Sequence, residues 1–139
     1  MTQEDKELLL KDLCTRLPYG VKINETIQGD FTLIGLTTER VFTTCEVEGS
    51  HNDFPIECIK PYLFPLSSMT DKDLVEFLQI KGMNLNTDEL KTFRRGKTVI
   101  VSTLPSYSRH IDWLNKKHFD YRGLIEKGLA IDATEKSIY

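Results

Sequence analysis

The hydrophobic positions of the chain change period twice. Over the opening residues Leu9, Leu10, Leu13, Cys14 and Leu17 recur at helical spacing and predict one apolar stripe. Thr2 supplies an N-cap, Glu4 and Asp5 complement the partial positive charge of the first turn, and Pro18 ends the helix by disfavouring α geometry at Leu17. From Gly20 to Ile59 the period drops to about two. Val21, Ile23 and Ile27 alternate with polar residues, and Gly29-Asp30 marks a turn into a second strand, Phe31 to Leu36. Val41, Thr43, Cys45 and Val47 share one face of a third strand. Gly49-Ser50-His51-Asn52-Asp53 reads as a loop leading to a fourth strand around Phe54 to Ile59. Strands spaced this closely predict an antiparallel meander, open or curled into a small SH3-like barrel, with the first helix covering one face.

Beyond Lys60 the pattern turns helical again. Pro61 and Pro65 bracket Tyr62-Leu63-Phe64, which reads as a rigid apolar connector. Ser68 or Thr70 caps a helix carrying Leu74, Phe77 and Leu78 that ends near Gly82, and Thr87-Asp88-Glu89 opens a shorter one through Leu90 and Phe93 to Gly96. Thr98 to Val101 predicts a fifth strand. Ser106 or Ser108 then starts a helix bearing Ile111 and Leu114 toward Lys117, Gly123 and Gly128 break the remaining chain into turns, and the final residues are expected to fray. No repeat or flexible linker separates the β-rich front, 20–60, from the helical back, 66–130. The expectation is one α+β domain over 1–139, with four to five strands, short helices and one shared core.

Composition narrows the class without naming a reaction. A chain of 139 residues with 40% hydrophobic and 28% charged positions matches an ordinary globular domain, and excludes disordered, collagen-like and coiled-coil chains. The net charge of −3 supplies no global field for nucleic acid or anionic lipid, so any such binding needs a local patch. Cys14, Cys45 and Cys58 are odd in number and far apart, which favours reduced thiols and a cytoplasmic location. No basic segment precedes the first apolar stretch and no run approaches ~20 apolar residues, so neither an export signal nor a membrane anchor is expected.

Four constellations carry candidate chemistry. Cys45, His51, Asp53 and Cys58 are zinc-ligating types, but no Cys or His pair stands two to four residues apart as structural sites require, so no metal is expected. His118, Asp120 and Arg122 bring a base, a carboxylate and a guanidinium together without an identifiable nucleophile; a structural hinge with a satisfied His or an Asp-Arg pair explains them better than catalysis. Lys91, Arg94, Arg95 and Lys97 form the densest basic stretch, with Phe93 available to stack on a base. Gly96-Lys97-Thr98 has the end of a P-loop, but Lys91 occupies the position of its first glycine, which excludes that motif. Tyr62, Leu63, Phe64, Tyr107 and Trp113 are the aromatic and apolar residues best suited to anchor a protein partner.

Three segments add a resemblance: CTRLPYGVK at 14–22, IKPYLFPLSSMT at 59–70 and DWLNKKHFDYRGLIEKGLAID at 112–132. They resemble a family of small uncharacterised proteins from gut Bacteroidales-type bacteria and their prophages or other mobile elements. The resemblance implies an intracellular accessory protein and supplies no activity, cofactor or catalytic residue. The reading that follows is a non-enzymatic interaction module without a cofactor, contacting protein through Tyr62 to Phe64, Tyr107 and Trp113. The alternative is weak nucleic-acid binding through 91–97.

Overall fold

The computed structural model describes residues 1–45, 51–79 and 108–139. Helix α1, Gln3–Arg16, opens on a capping box: Thr2 Oγ1 accepts the Asp5 amide at 3.1 Å while Asp5 accepts the Thr2 amide at 3.3 Å. Pro18 lies in a 3-10 turn, Leu17–Tyr19, and Gly20 at φ 66° leaves the helix through the left-handed region that suits glycine. The buried stripe of α1 is Leu9, Asp12, Leu13 and Arg16, a clean i, i+3, i+4, i+7 set. Cys14, expected inside, is exposed, because two charged residues take the positions that hydrophobicity alone would have assigned to apolar ones.

Among the described residues seven strands follow: β1 Lys22–Glu25, β2 Gly29–Leu36, β3 Arg40–Thr44, β4 His51–Pro55, β5 Ile59–Pro65, β6 Phe119–Asp120 and β7 Ile131–Asp132. The pairing runs β4-β3-β2-β1-β5-β6, with β7 also on β5. The first four pairings are antiparallel; β6 and β7 join β5 in parallel. The molecule is therefore α+β with a mostly antiparallel meander, of more strands than the sequence pattern marks.

Four local expectations are corrected. The first turn falls at 26–28, because the Glu25 carboxylate accepts the Ile27 amide at 3.0 Å and the Gln28 amide at 2.7 Å, which places Gly29 opposite Glu25 at the start of β2. His51, Asn52 and Asp53 are strand, paired with Thr44, Thr43 and Phe42, where a loop was expected. Tyr62-Leu63-Phe64 is the middle of β5 instead of a connector. The prolines flanking it obscured a strand that pairs with β1, β6 and β7. The final residues do not fray: the Tyr139 ring packs on His118 and Phe64.

Helix α2, Asp71–Gln79, is preceded by Thr70, which shares reciprocal bonds with Asp73, and the helix buries Leu74 and Phe77 completely. Helix α3, Ser108–Lys116, buries Leu114. The expected helix over 87–96, strand at 98–101 and third-strand residue Val47 lie outside the described residues. Among the described residues two apolar clusters fill the interior. One gathers Leu9, Leu13, Ile23, Val41 and Leu63 between α1 and the sheet; the other gathers Leu66, Leu74, Phe77, Trp113, Leu114 and Phe119. Strand β5 runs between them, giving Leu63 to the first while Phe64 packs against the second.

Candidate functional site

The polar residues singled out near the end of the chain lie where α1 meets the segment leaving α3. Asp12 and Arg16 are both fully buried, one turn apart, with Arg16 Nε donating to Asp12 Oδ2 at 2.7 Å. Arg16 Nη2 donates to the Phe119 carbonyl at 2.6 Å, and Arg122 Nη1 donates to Asp12 Oδ1 at 2.9 Å and to Thr15 Oγ1 at 3.2 Å. Asn115 Oδ1 accepts from Tyr121 Oη at 3.0 Å, and both guanidinium groups lie over the Tyr121 ring, at 5.4 Å for Arg16 and 4.6 Å for Arg122. Removing two charges from water costs several kcal/mol per ion, and only shared hydrogen bonds of this kind offset it. The network thus ties α1 to residues more than a hundred positions later.

His118 is the pivot between α3 and β6. Its backbone, at φ 62°, occupies the left-handed position after a helix that glycine or asparagine usually fills, and its amide donates back to the Asn115 carbonyl at 3.1 Å. Its carbonyl accepts the Phe64 amide at 2.8 Å, which starts the β5–β6 pairing. The imidazole stacks on Tyr139, with centroids 3.7 Å apart and planes 12° from parallel. Burial first, and the positive charge of Arg16 second, push it down to about 4. At neutral pH it is an uncharged, packed ring.

Asp120 faces another task. Its two oxygens accept the Leu124 amide at 3.0 Å and the Ile125 amide at 2.9 Å, fixing the turn that follows. Asp120 does not pair with Arg122, whose carboxylate partner is Asp12. A cleft of about 370 Å³ adjoins Asp120 and Tyr121, yet neither His118 nor Arg122 lines it. The three residues sit close in sequence and serve three separate structural contacts, so they do not converge on one reaction centre.

The aromatic candidates are mostly interior. Tyr62 is 5% exposed, Leu63 is fully buried, and Trp113, 8% exposed, stacks on Phe119 at 5.7 Å and meets Phe77 edge-on. Phe64 is half-buried against Phe119 and Tyr139. Tyr62, Leu63 and Trp113 thus close the core, while Phe64 stays part-buried. Tyr107, Phe93 and the basic residues Lys91, Arg94, Arg95 and Lys97 lie outside the described residues. On β4, His51 packs edge-on against Phe42 and Asp53 pairs with Arg40 at 2.7 Å. Among the described residues no His, Cys, Asp and Glu side chains gather as a metal site, and no helix is long and apolar enough to cross a membrane.

Sequence reasoning missed Asp12, Arg16, Asn115 and Tyr139. The signal for the first two was their i, i+4 spacing on the same helix face as Leu9 and Leu13, where a carboxylate and a guanidinium on the apolar side of a helix imply a buried pair. Tyr139 carries no local signal. Compared with protein-family models, curated proteins and solved structures, the chain shows no match.

Proposed function

We propose that this chain is a non-enzymatic interaction module that binds another protein in the cytoplasm, as an accessory protein of a mobile element. The observation that carries the reading is the engagement of Asp12, Arg16, Asp120 and Arg122 in the fold's own hydrogen bonds, with His118 held as a neutral stacked ring. Carboxylates and guanidinium groups already engaged by backbone and by one another are poor acids, bases or ligands for a substrate, although Arg16 Nη1 and His118 Nδ1 are buried without a hydrogen-bond partner.

The contact surface then moves from the buried Tyr62 and Trp113 to the bulged stretch of β2. Ile34 stands between Leu33 and Gly35, where the register with β3 shifts, and is 51% exposed. Bulges re-aim a side chain that regular pairing would hold in line. The occupant this favours is a partner protein with an apolar patch. The test compares capture of partners by the wild-type chain and by Ile34→Asp at matched thermal stability. A loss of at least about tenfold in recovery supports the surface, since burying an unpaired carboxylate costs more than 1.4 kcal/mol. Equal recovery of the same proteins by both removes it.

A further inference from the structure

Tyr139 sits at an interruption in the sheet. The β1–β5 register pairs Glu25 with Ile59, Asn24 with Lys60 and Ile23 with Pro61, and one further step sets Lys22 opposite Tyr62. At that step the two backbones meet through a side chain. The Lys22 amide donates to Tyr139 Oη at 2.8 Å, and Tyr139 Oη donates to the Tyr62 carbonyl at 2.9 Å. One hydroxyl therefore accepts from one strand and donates to the other, using both capacities of a phenol at once. It does so between the stretch of β5 that pairs with β1 and the stretch, Phe64 and Pro65, that pairs with β6.

The ring is recognised as well as the hydroxyl. His118 stacks on one face at 3.7 Å, and Phe64 packs at 5.9 Å with planes 52° apart. His118 is held in place independently of Tyr139, by its left-handed backbone and by its bonds to Asn115 and Phe64. Lys22 and Tyr62 are likewise fixed by sheet pairing on either side. The groups that contact the ring and hydroxyl thus belong to the rest of the fold, residue 139 alone supplies the phenol, and Tyr139 stays 45% exposed.

We propose that the space between Lys22, Tyr62, Phe64 and His118 is a binding site for a para-substituted phenol, which Tyr139 fills as an internal ligand. A flat ring satisfies the His118 and Phe64 faces, and only a hydroxyl that both accepts and donates satisfies Lys22 and Tyr62 together. An ether accepts without donating and leaves the Tyr62 carbonyl unmatched; a hydrocarbon satisfies neither group.

The test is a titration of the Tyr139→Ala protein with p-cresol, followed by amide chemical shifts and thermal unfolding. The expected result is saturable binding with a Kd of about 1 mM, a shift of the Lys22 amide and a rise in Tm; 4-methylanisole and toluene bind at least about tenfold more weakly. Equal binding of toluene and p-cresol, or p-cresol binding without a Lys22 response, overturns the proposal. Should Tyr139→Ala not fold, Tyr139→Phe keeps the ring and removes the hydroxyl. Hydrogen exchange at the Lys22 amide then accelerates about tenfold, and an unchanged rate overturns the proposal equally.

Discussion

Asp12 and Arg16 form an ion pair in which neither side chain reaches solvent, and Arg122 shares the same carboxylate. A buried pair adds little net stability over an apolar pair of similar volume, but removing one member strands the other in a medium that cannot solvate it. Asp12→Ala is expected to destabilise the fold by about 3–5 kcal/mol, measured by urea unfolding. Arg122→Ala costs less, because Arg122 is 15% exposed and leaves the Asp12–Arg16 contact intact. The double variant Asp12→Leu with Arg16→Met recovers part of the loss. A cost below about 1 kcal/mol for Asp12→Ala would mean that water solvates Arg16 in its place.

Protonation of His118 sets a stability window. Its imidazole is held at about 4 in the folded chain against 6.5 for an unperturbed histidine, so between these values the unfolded state binds the extra proton. This contribution is complete above pH 6.5 and is lost as pH falls toward 4, by about 3 kcal/mol in total. Unfolding free energies of wild type and His118→Asn at pH 7 and pH 4.5 isolate the effect, since asparagine tolerates the left-handed backbone and carries no proton in this range. The wild-type loss on acidification should exceed that of the variant by most of this amount. Equal losses would show that another group controls the acid limb.

Much of the fold was legible because local chemistry and tertiary structure agree. Thr2, Pro18 and Gly20 mark the bounds of α1 by capping and backbone restriction, and the period-two stretch yields β1 to β3. Legibility failed where a residue's usual meaning was overridden by its surroundings. The prolines of β5 suggest a connector, yet Leu63 between them is fully buried and paired to β7. Asp12 and Arg16 look solvated by composition; their spacing on the apolar face hints at a buried pair, but the partners Phe119 and Arg122 that complete it come from more than a hundred residues later. His118, Asp120 and Arg122 read as one cluster because they are adjacent in sequence. The left-handed backbone at His118 and the short strand after it send their side chains to Tyr139, the next turn and α1 respectively.

Tyr62 links the sheet interior to an exposed carboxylate. Its hydroxyl donates to Asp30 Oδ1 at 2.7 Å, and burial together with this acceptor pushes the phenol up to about 12. Asp30 is in turn held below the usual carboxylate range by its bonds from Asn24 and then Tyr62. Tyr62→Phe should cost about 1 kcal/mol and raise the Asp30 titration midpoint, followed by NMR of the carboxylate. An unmoved midpoint would leave Asn24 as the whole cause of the Asp30 shift.

Asp120 separates a structural role from a catalytic one most directly. Each carboxylate oxygen accepts one backbone amide, from Leu124 and from Ile125, and Leu124 is fully buried. Asp120→Ala leaves a buried amide without its acceptor, at a cost of about 1–3 kcal/mol. Asp120→Asn keeps one acceptor but turns an N–H₂ toward the second amide, so it should recover less than half of that cost. If the residue works as argued, hydrogen exchange at Leu124 and Ile125 accelerates in both variants while amides in β2 and β3 change only by the global loss of stability. Uniform acceleration across the sheet would instead mean that Asp120 supports the whole fold through contacts beyond this turn.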